Sequence, residues 1–416
     1  MRGSIISALV CACILASSVV LDGGLLANPS SSAPPAPQAL QPASAEARYV
    51  FSLDLDGDGE DELLRVIDDQ LVAHKISQGA LSAPLWSVKG PGQAHLISSD
   101  RSTGSLKVFV MWGVGPGMLK VPLSLTELNP KTGAQRLLWR HEGPRAQAVH
   151  LKAVPTNQGL TLRVAHFISK YQTRALSLSG LALTGAWGAQ RLEQLQSGPA
   201  LPLTAKTSRE LRMGTSWAYA DVDGDGVEEE IVGRVYGDKK GEYGELSLYR
   251  EGGAEAQVIP TERGVKAVYW AQWGGDEGRG AVYWSDGWVA EYGKKARARL
   301  KRLRWREGRA TVELIASSKA DFTFFELWTH PRPGAGATRA PLLFARGNKT
   351  LNLITPQAEG PWRVTSVASL PPVVNATVLY AEGAWWVALP IPRQALQLKR
   401  ITHPLLNTEG GGDLSP

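Results

Sequence analysis

Residues 51–66 read FSLDLDGDGEDELLRV, and residues 218–233 read AYADVDGDGVEEEIVG. Each stretch is a short apolar run, then D-x-D-G-D-G, then further acids, then a second apolar run. Acids at every second position set oxygens on one side of a tight loop, and Gly57 and Gly224 let that loop curl. Carboxylates packed this densely repel one another unless a cation lies among them. A hard cation such as Ca²⁺ takes several oxygen ligands around one point. The expected ligands are Asp54, Asp56, Asp58 and Glu62 with the backbone carbonyl of Glu60, and Asp221, Asp223, Asp225 and Glu229 with that of Val227. The plain alternative is an Asp-Gly hairpin turn that holds no ion.

An EF-hand needs a bidentate Glu at loop position 12 and a helix on each side. Position 12 is Arg65 in the first stretch and Val232 in the second. The flanks YVFSL, LLRVI, WAYA and IVGRVY are short and rich in strand formers. The loops therefore join strands.

The pattern resembles the FG-GAP/VCBS repeat, the calcium loop of integrin α-subunit-like β-propellers. Its consensus is D-x-[DN]-G-D-G-x-x-D before a short apolar strand. Asp54, Asp56, Asp58, Asp221, Asp223 and Asp225 match it, while position 9 is Glu in both copies. The resemblance implies a propeller with one bound Ca²⁺ per loop, two in all, and a role in adhesion or recognition.

Composition sets the outer bounds. The chain has 416 residues, 43% of them hydrophobic, with 44 Gly and 26 Pro marking many turns. Its two cysteines, Cys11 and Cys13, both lie in the N-terminal apolar run, so a folded part beyond that run has no disulfide. The net charge of +6 permits contact with anionic surfaces without specifying one.

Residues 1–27 carry an uncharged apolar run after Arg2 and read as a signal peptide or an uncleaved membrane anchor. Residues 28–47 form a Pro/Ala/Ser stretch expected to be a disordered linker. Short strand-like runs then alternate with turn residues to position 404, and 405–416 is expected to be a disordered tail. This places the protein outside the cytoplasm: periplasmic, cell-surface or secreted.

Asp54 and Asp221 lie 167 positions apart, which suits three units of about 56 residues. Degenerate copies of the same strand-loop-strand unit begin at Ala94, Ala148, Ala267, Phe324 and Asn375. With the two acid loops they make seven units, whose first strands end near 53, 97, 150, 220, 270, 327 and 379. A four-stranded blade needs about 40–50 residues. The expected fold over 48–404 is thus an all-β propeller of seven blades, with six or eight as the alternatives. Residues 197–210 are expected to be an insertion, 396–401 the last strand, and 48–53 a strand that helps to close the ring beside the final blade.

Other constellations read more plainly. Tyr269, Trp270, Trp273, Tyr283, Trp284, Trp288 and Tyr292 suit packing between blades, with an exposed sugar platform as the alternative. Trp385 and Trp386 point to opposite faces of one strand, so one of them is expected to reach solvent. Residues 294–309 carry Lys or Arg at more than half their positions; they suit an edge or outer strand with a basic outer face, or a patch for an anionic polymer. Residues 112–120 hold three glycines without a P-loop's closing GK[ST], and read as a turn. His95, His150 and His330 fall near first strands, which line the channel of a propeller. No H-E-x-x-H, G-x-S-x-G or S-x-x-K motif is present, and no nucleic-acid fold signature accompanies the basic run.

The leading functional expectation is an exported, non-enzymatic binding module for a protein or glycan at the cell envelope. The alternative is a lyase or hydrolase acting on polysaccharide at the channel mouth, since one fold hosts both classes. A scaffold of an envelope complex differs from the first only in its partner.

Overall fold

The computed structural model describes residues 47–406, apart from 102–103, 114–122, 142–146, 157–158, 170–171, 182–194, 202–214, 226–228, 239–240, 250–255, 262–264, 272–280, 288–297, 307–308, 319–325, 331–341, 348, 356, 358–361, 372, 374 and 393. The described residues form seven small antiparallel sheets in succession, six of four strands and a last one of three. In each sheet the strands pair in sequence order, so every sheet is a meander. The first strands are Tyr49–Leu53, Gln93–Asp100, Gln147–Thr156, Thr215–Ala220, Val265–Ala271, Glu326–His330 and Thr377–Ala381. Each coincides with a first strand expected from the sequence.

Neighbouring sheets pack face to face, and strand alternation divides their side chains. In Lys107–Gly113 of the second sheet, Val108, Val110 and Trp112 face the first sheet's Leu64, Val66 and Ala73. Phe109 and Met111 point the other way, onto Leu151, Leu160 and Leu162 of the third sheet. The same layering joins the fourth sheet to the fifth through Ile231, Leu246 and Leu303. It joins the sixth sheet to the seventh through Phe344, Leu353, Trp385 and Val387. The seventh then packs on the first, with Leu379, Ala381 and Trp386 against Val50, Leu63 and Ile76. First and last sheets meeting in one core close a ring, and the fold is a β-propeller.

Among the described residues, ring closure uses no shared strand. Tyr49–Leu53 pairs within the first sheet, and its other edge meets the seventh through side chains. The Asn375 amide takes both backbone groups of Val50, accepting from its N–H at 3.3 Å and donating to its carbonyl at 2.9 Å. Ser52 Oγ donates to the Val378 carbonyl at 2.8 Å and lies 2.9 Å from Thr377 Oγ1. Ala47, at the end of the expected linker, is buried in this same core. The last strand, Gln397–Ile401, falls where expected.

Three expectations are corrected. The segment 197–210 is not wholly an insertion, because Leu195–Leu201 is the fourth strand of the third sheet. Trp385 and Trp386 are both buried, at 3% and 8% exposure, because both faces of the seventh sheet are covered. The basic strand Ala298–Arg306 is no edge or outer strand: it is third of four, paired on both sides.

Candidate functional site

The first acid loop joins strand Tyr49–Leu53 to strand Glu62–Ile67, and the second joins Thr215–Ala220 to Glu229–Asp238. Both curl as the glycines require, with φ of 86° at Gly57, 88° at Gly59 and 79° at Gly224. Asp54 Oδ1 accepts the Gly57 N–H at 2.7 Å, and Asp58 Oδ1 accepts the Glu60 N–H at 2.8 Å. In the second loop Asp221 Oδ1 accepts the Gly224 N–H at 2.6 Å. Asp56 and Asp223 accept from the N–H two residues on, each at 3.2 Å. These turns tie the carboxylates of Asp54, Asp56, Asp58, Asp221 and Asp223 to the backbone. Oxygens of Asp54, Asp56 and Asp58 converge within 4.8 Å of one another, and so do those of Asp221, Asp223 and Asp225.

The glutamates at position 9 share one role. Glu62 Oε2 accepts the Leu55 N–H at 2.6 Å, and Glu229 Oε2 accepts the Val222 N–H at 2.7 Å. Both side chains are buried. Burial pushes Glu62 up to about 7, helped by the charge of Asp56 and opposed by the Leu55 N–H and Lys75. Burial also pushes Glu229 up to about 7, and the charges of Asp223, Asp225 and Asp221 add to it. A buried carboxylate beside three acids is a setting that a divalent cation relieves. Glu60 turns its side chain toward the seventh sheet, where Oε1 accepts the Gly383 N–H at 3.2 Å. Val227 lies outside the described residues.

The first loop contains a feature the motif did not announce. Lys75 Nζ sits 2.7 Å from Asp56 Oδ2, 2.7 Å from Asp58 Oδ2 and 3.4 Å from Glu62 Oε1. Its hydrogen bond holds Asp58 below the usual carboxylate range, and Asp56 and Asp58 push Lys75 upward. Arg101, which directly follows the second sheet's first strand Gln93–Asp100, donates to the Asp54 carbonyl and lies 3.2 Å from Asp54 Oδ2. The seventh sheet bonds the same loop, because Asp61 donates from its N–H to the Tyr380 carbonyl at 2.7 Å and accepts the Tyr380 N–H at 2.9 Å. Burial pushes Asp61 up to about 6 against that hydrogen bond. Nearby, Glu382 accepts from the Gln78 and Gly79 N–H groups. Three sheets thus meet at one acid loop. Register is what placed Lys75 there: it follows His74, the partner of Leu63, and so stands beside Glu62. In the second unit Tyr249 pairs with Glu230, and the next residue is Arg250, which lies outside the described residues.

The basic run is a poor anion patch over its described part. Lys301 and Arg302 are buried beside Leu300 and Leu303, because a register shift between Leu300 and Lys301 breaks the alternation. Arg302 Nη2 pairs with Glu313 at 2.8 Å, Arg304 Nε pairs with the same oxygen at 3.0 Å, and Arg302 lies over the Trp362 ring at 5.5 Å. Of the aromatic group, Tyr269, Trp270, Tyr283 and Trp284 lie on adjacent strands, with Tyr269 opposite Tyr283. Trp273, Trp288 and Tyr292 lie outside the described residues, as does 114–120 of the glycine segment. His95, His150 and His330 all fall on first strands.

No protein-family model matches the chain, so the likeness to FG-GAP/VCBS repeats rests on the loop residues alone. No curated protein matches it either. Among solved structures, it is similar to Drosophila semaphorin 2a at a TM-score of 0.50 and 8% identity, over 86% of this chain and 73% of that one. That likeness is one of propeller fold. An Agrocybe aegerita lectin, described as recognising non-reducing terminal N-acetylglucosamine, matches at 0.46 and 15% identity, over 78% and 80% of the two chains. The β-propeller domain of the Trilobed protease from Pyrococcus furiosus, described as having an open velcro topology, matches at 0.43 and 8%, over 88% and 99%.

Proposed function

We propose that this chain is an exported β-propeller whose loop faces bind a protein or glycan at the cell envelope without chemical turnover. The observation that supports this is the shared build of the two acid loops. In each, a buried Glu is spent on the loop's own backbone and the Asp oxygens converge. Such a loop braces a scaffold and offers no activated nucleophile or acid-base pair to a substrate. In the second loop Asp221, Asp223, Asp225 and Glu229 fit a Ca²⁺ ion, which would lock the hairpin by binding the native state alone. The seven sheets each supply one blade, and the surfaces left for recognition are the loops between strands.

The test is retention of labelled envelope polysaccharides and envelope proteins on the immobilised protein in Ca²⁺, followed by analysis of what is released. Retention of intact material that EDTA abolishes is the expected result. Shortened glycan with new reducing or unsaturated ends would overturn the reading in favour of a lyase or hydrolase.

A further inference from the structure

The first acid loop already holds a cation. We propose that the Lys75 ammonium is the resident cation of this loop, so that the loop clasps the ring without a metal ion. This departs from the expectation of two bound ions, and it concerns the first loop alone.

Three observations carry it. First, the ammonium lies where an ion would lie. It contacts Asp56 and Asp58 at 2.7 Å each and Glu62 at 3.4 Å, three of the four side chains expected to ligate Ca²⁺. A Ca²⁺ ion needs those oxygens at about 2.3–2.6 Å. A dication and an ammonium on the same oxygens would repel at close range, so one excludes the other.

Second, the fourth ligand is engaged elsewhere. Asp54 Oδ1 accepts the Gly57 N–H at 2.7 Å, and Oδ2 accepts the Gly59 N–H at 3.3 Å while Arg101 stands 3.2 Å from it. Arg101 also donates to the Asp54 carbonyl. Lys75 and Arg101 bring two positive charges to the cradle, the charge of the ion they replace. An isolated surface ion pair holds little, but a network around one point holds more.

Third, the loop is structurally placed to need a permanent cation. It bonds the seventh sheet at Tyr380 and Gly383 and the residue that follows the second sheet's first strand, Arg101, and among the described residues no shared strand closes the ring. A cation built into the chain keeps this junction formed whatever the calcium level.

Equilibrium dialysis of the full chain against ⁴⁵Ca²⁺ tests the proposal by stoichiometry. The double variant Asp56→Asn/Asp58→Asn is expected to bind as much Ca²⁺ as the wild type. Lys75→Met, which keeps the side chain's length and removes its charge, is expected to bind one equivalent more. A loss of one equivalent in the double variant would overturn the proposal, because the first loop would then hold the metal. No gain in Lys75→Met would also overturn it, because the ammonium would then not be what fills the cradle. Should Lys75→Met fail to fold, Lys75→Gln offers the same comparison, and the double variant decides by itself. Asp223→Asn, read in the same dialysis, reports on the second loop, so failure of calcium binding there is distinguishable from failure here.

Discussion

His74 is held neutral by its two partners. Arg65 Nε donates to His74 Nε2 at 2.9 Å, so Nε2 is the bare nitrogen. Nδ1 therefore carries the proton, and it donates to the Ser82 carbonyl at 2.9 Å. Both residues are buried, with Arg65 2% and His74 1% exposed. Burial pushes His74 down to about 4, and the Arg65 charge adds to that, outweighing the Ser82 carbonyl. The folded value lies below the unfolded one of about 6.5, so the unfolded chain binds more protons between them. His74 therefore makes the fold less stable as pH falls from about 6.5 to 4, by up to about 3 kcal/mol. Glu62, Glu229 and Asp61 are shifted upward and slope the other way over part of that range. The difference between wild type and His74→Gln isolates the histidine. Urea titrations of both proteins from pH 4 to 7 should converge at low pH and diverge as pH rises; parallel curves would contradict the neutral, buried histidine. At the same scale, Gly90 has no room for a side chain: an added Cβ would lie 2.0 Å from the fully buried Trp112 ring. Gly90→Ala should cost about 3 kcal/mol by overpacking, read as a lower urea midpoint at an unchanged slope.

At the scale of the element, the seventh sheet shows what alternation does in this fold. Trp385 packs against Phe344 and Tyr380, with ring centroids 5.2 Å away in each case. Trp386 faces the first sheet, donates from Nε1 to the Ala381 carbonyl at 3.0 Å, and closes over Gly79. Either tryptophan cut to alanine should cost about 3–5 kcal/mol. Denaturation of Trp385→Ala and Trp386→Ala checks this, and a near-neutral result for either would mean that one face of the sheet is open. Period-2 alternation, ordinarily inside against outside, predicts one exposed ring here. In a ring of sheets both sides of a strand are inside, so alternation reports which neighbour is touched. The first strands were legible because the unit repeats about every 50 residues, and the acid loops because their spacing is chemically specific. The burial of Lys301 and Arg302 was not legible, since a shift between Leu300 and Lys301 rotates the side chains that follow. Lys75 was hidden for a related reason. It lies 13 positions after Glu62, and only hairpin register brings the two together.

At the scale of the whole molecule, the described residues hold the ring at one seam by side chains, with no strand shared among them. The Asn375 amide does there what a neighbouring strand would do, satisfying the N–H and the carbonyl of buried Val50. Asn375→Ala leaves both groups without that partner, and a buried unpaired backbone group costs about 1–3 kcal/mol. The loss falls on one junction, while the other sheets keep their own cores, such as the one shared by the fourth and fifth. Each sheet is a local meander, so the ring can part at its seam before any sheet unravels. Hydrogen exchange of Asn375→Ala should therefore speed up in Tyr49–Leu53 and Thr377–Ala381, at least tenfold for a loss of about 1.4 kcal/mol, and stay unchanged in Glu229–Asp238. The same segments should respond to Lys75→Met, because the first acid loop ties the seam from its other side through Asp61 and Tyr380. Uniform acceleration across all sheets would show that the ring opens as a single cooperative unit and that the seam is no weaker than the rest. Acceleration confined to the two strands would place the propeller's first opening step at the junction that Asn375, Ser52 and the lysine-filled loop hold together.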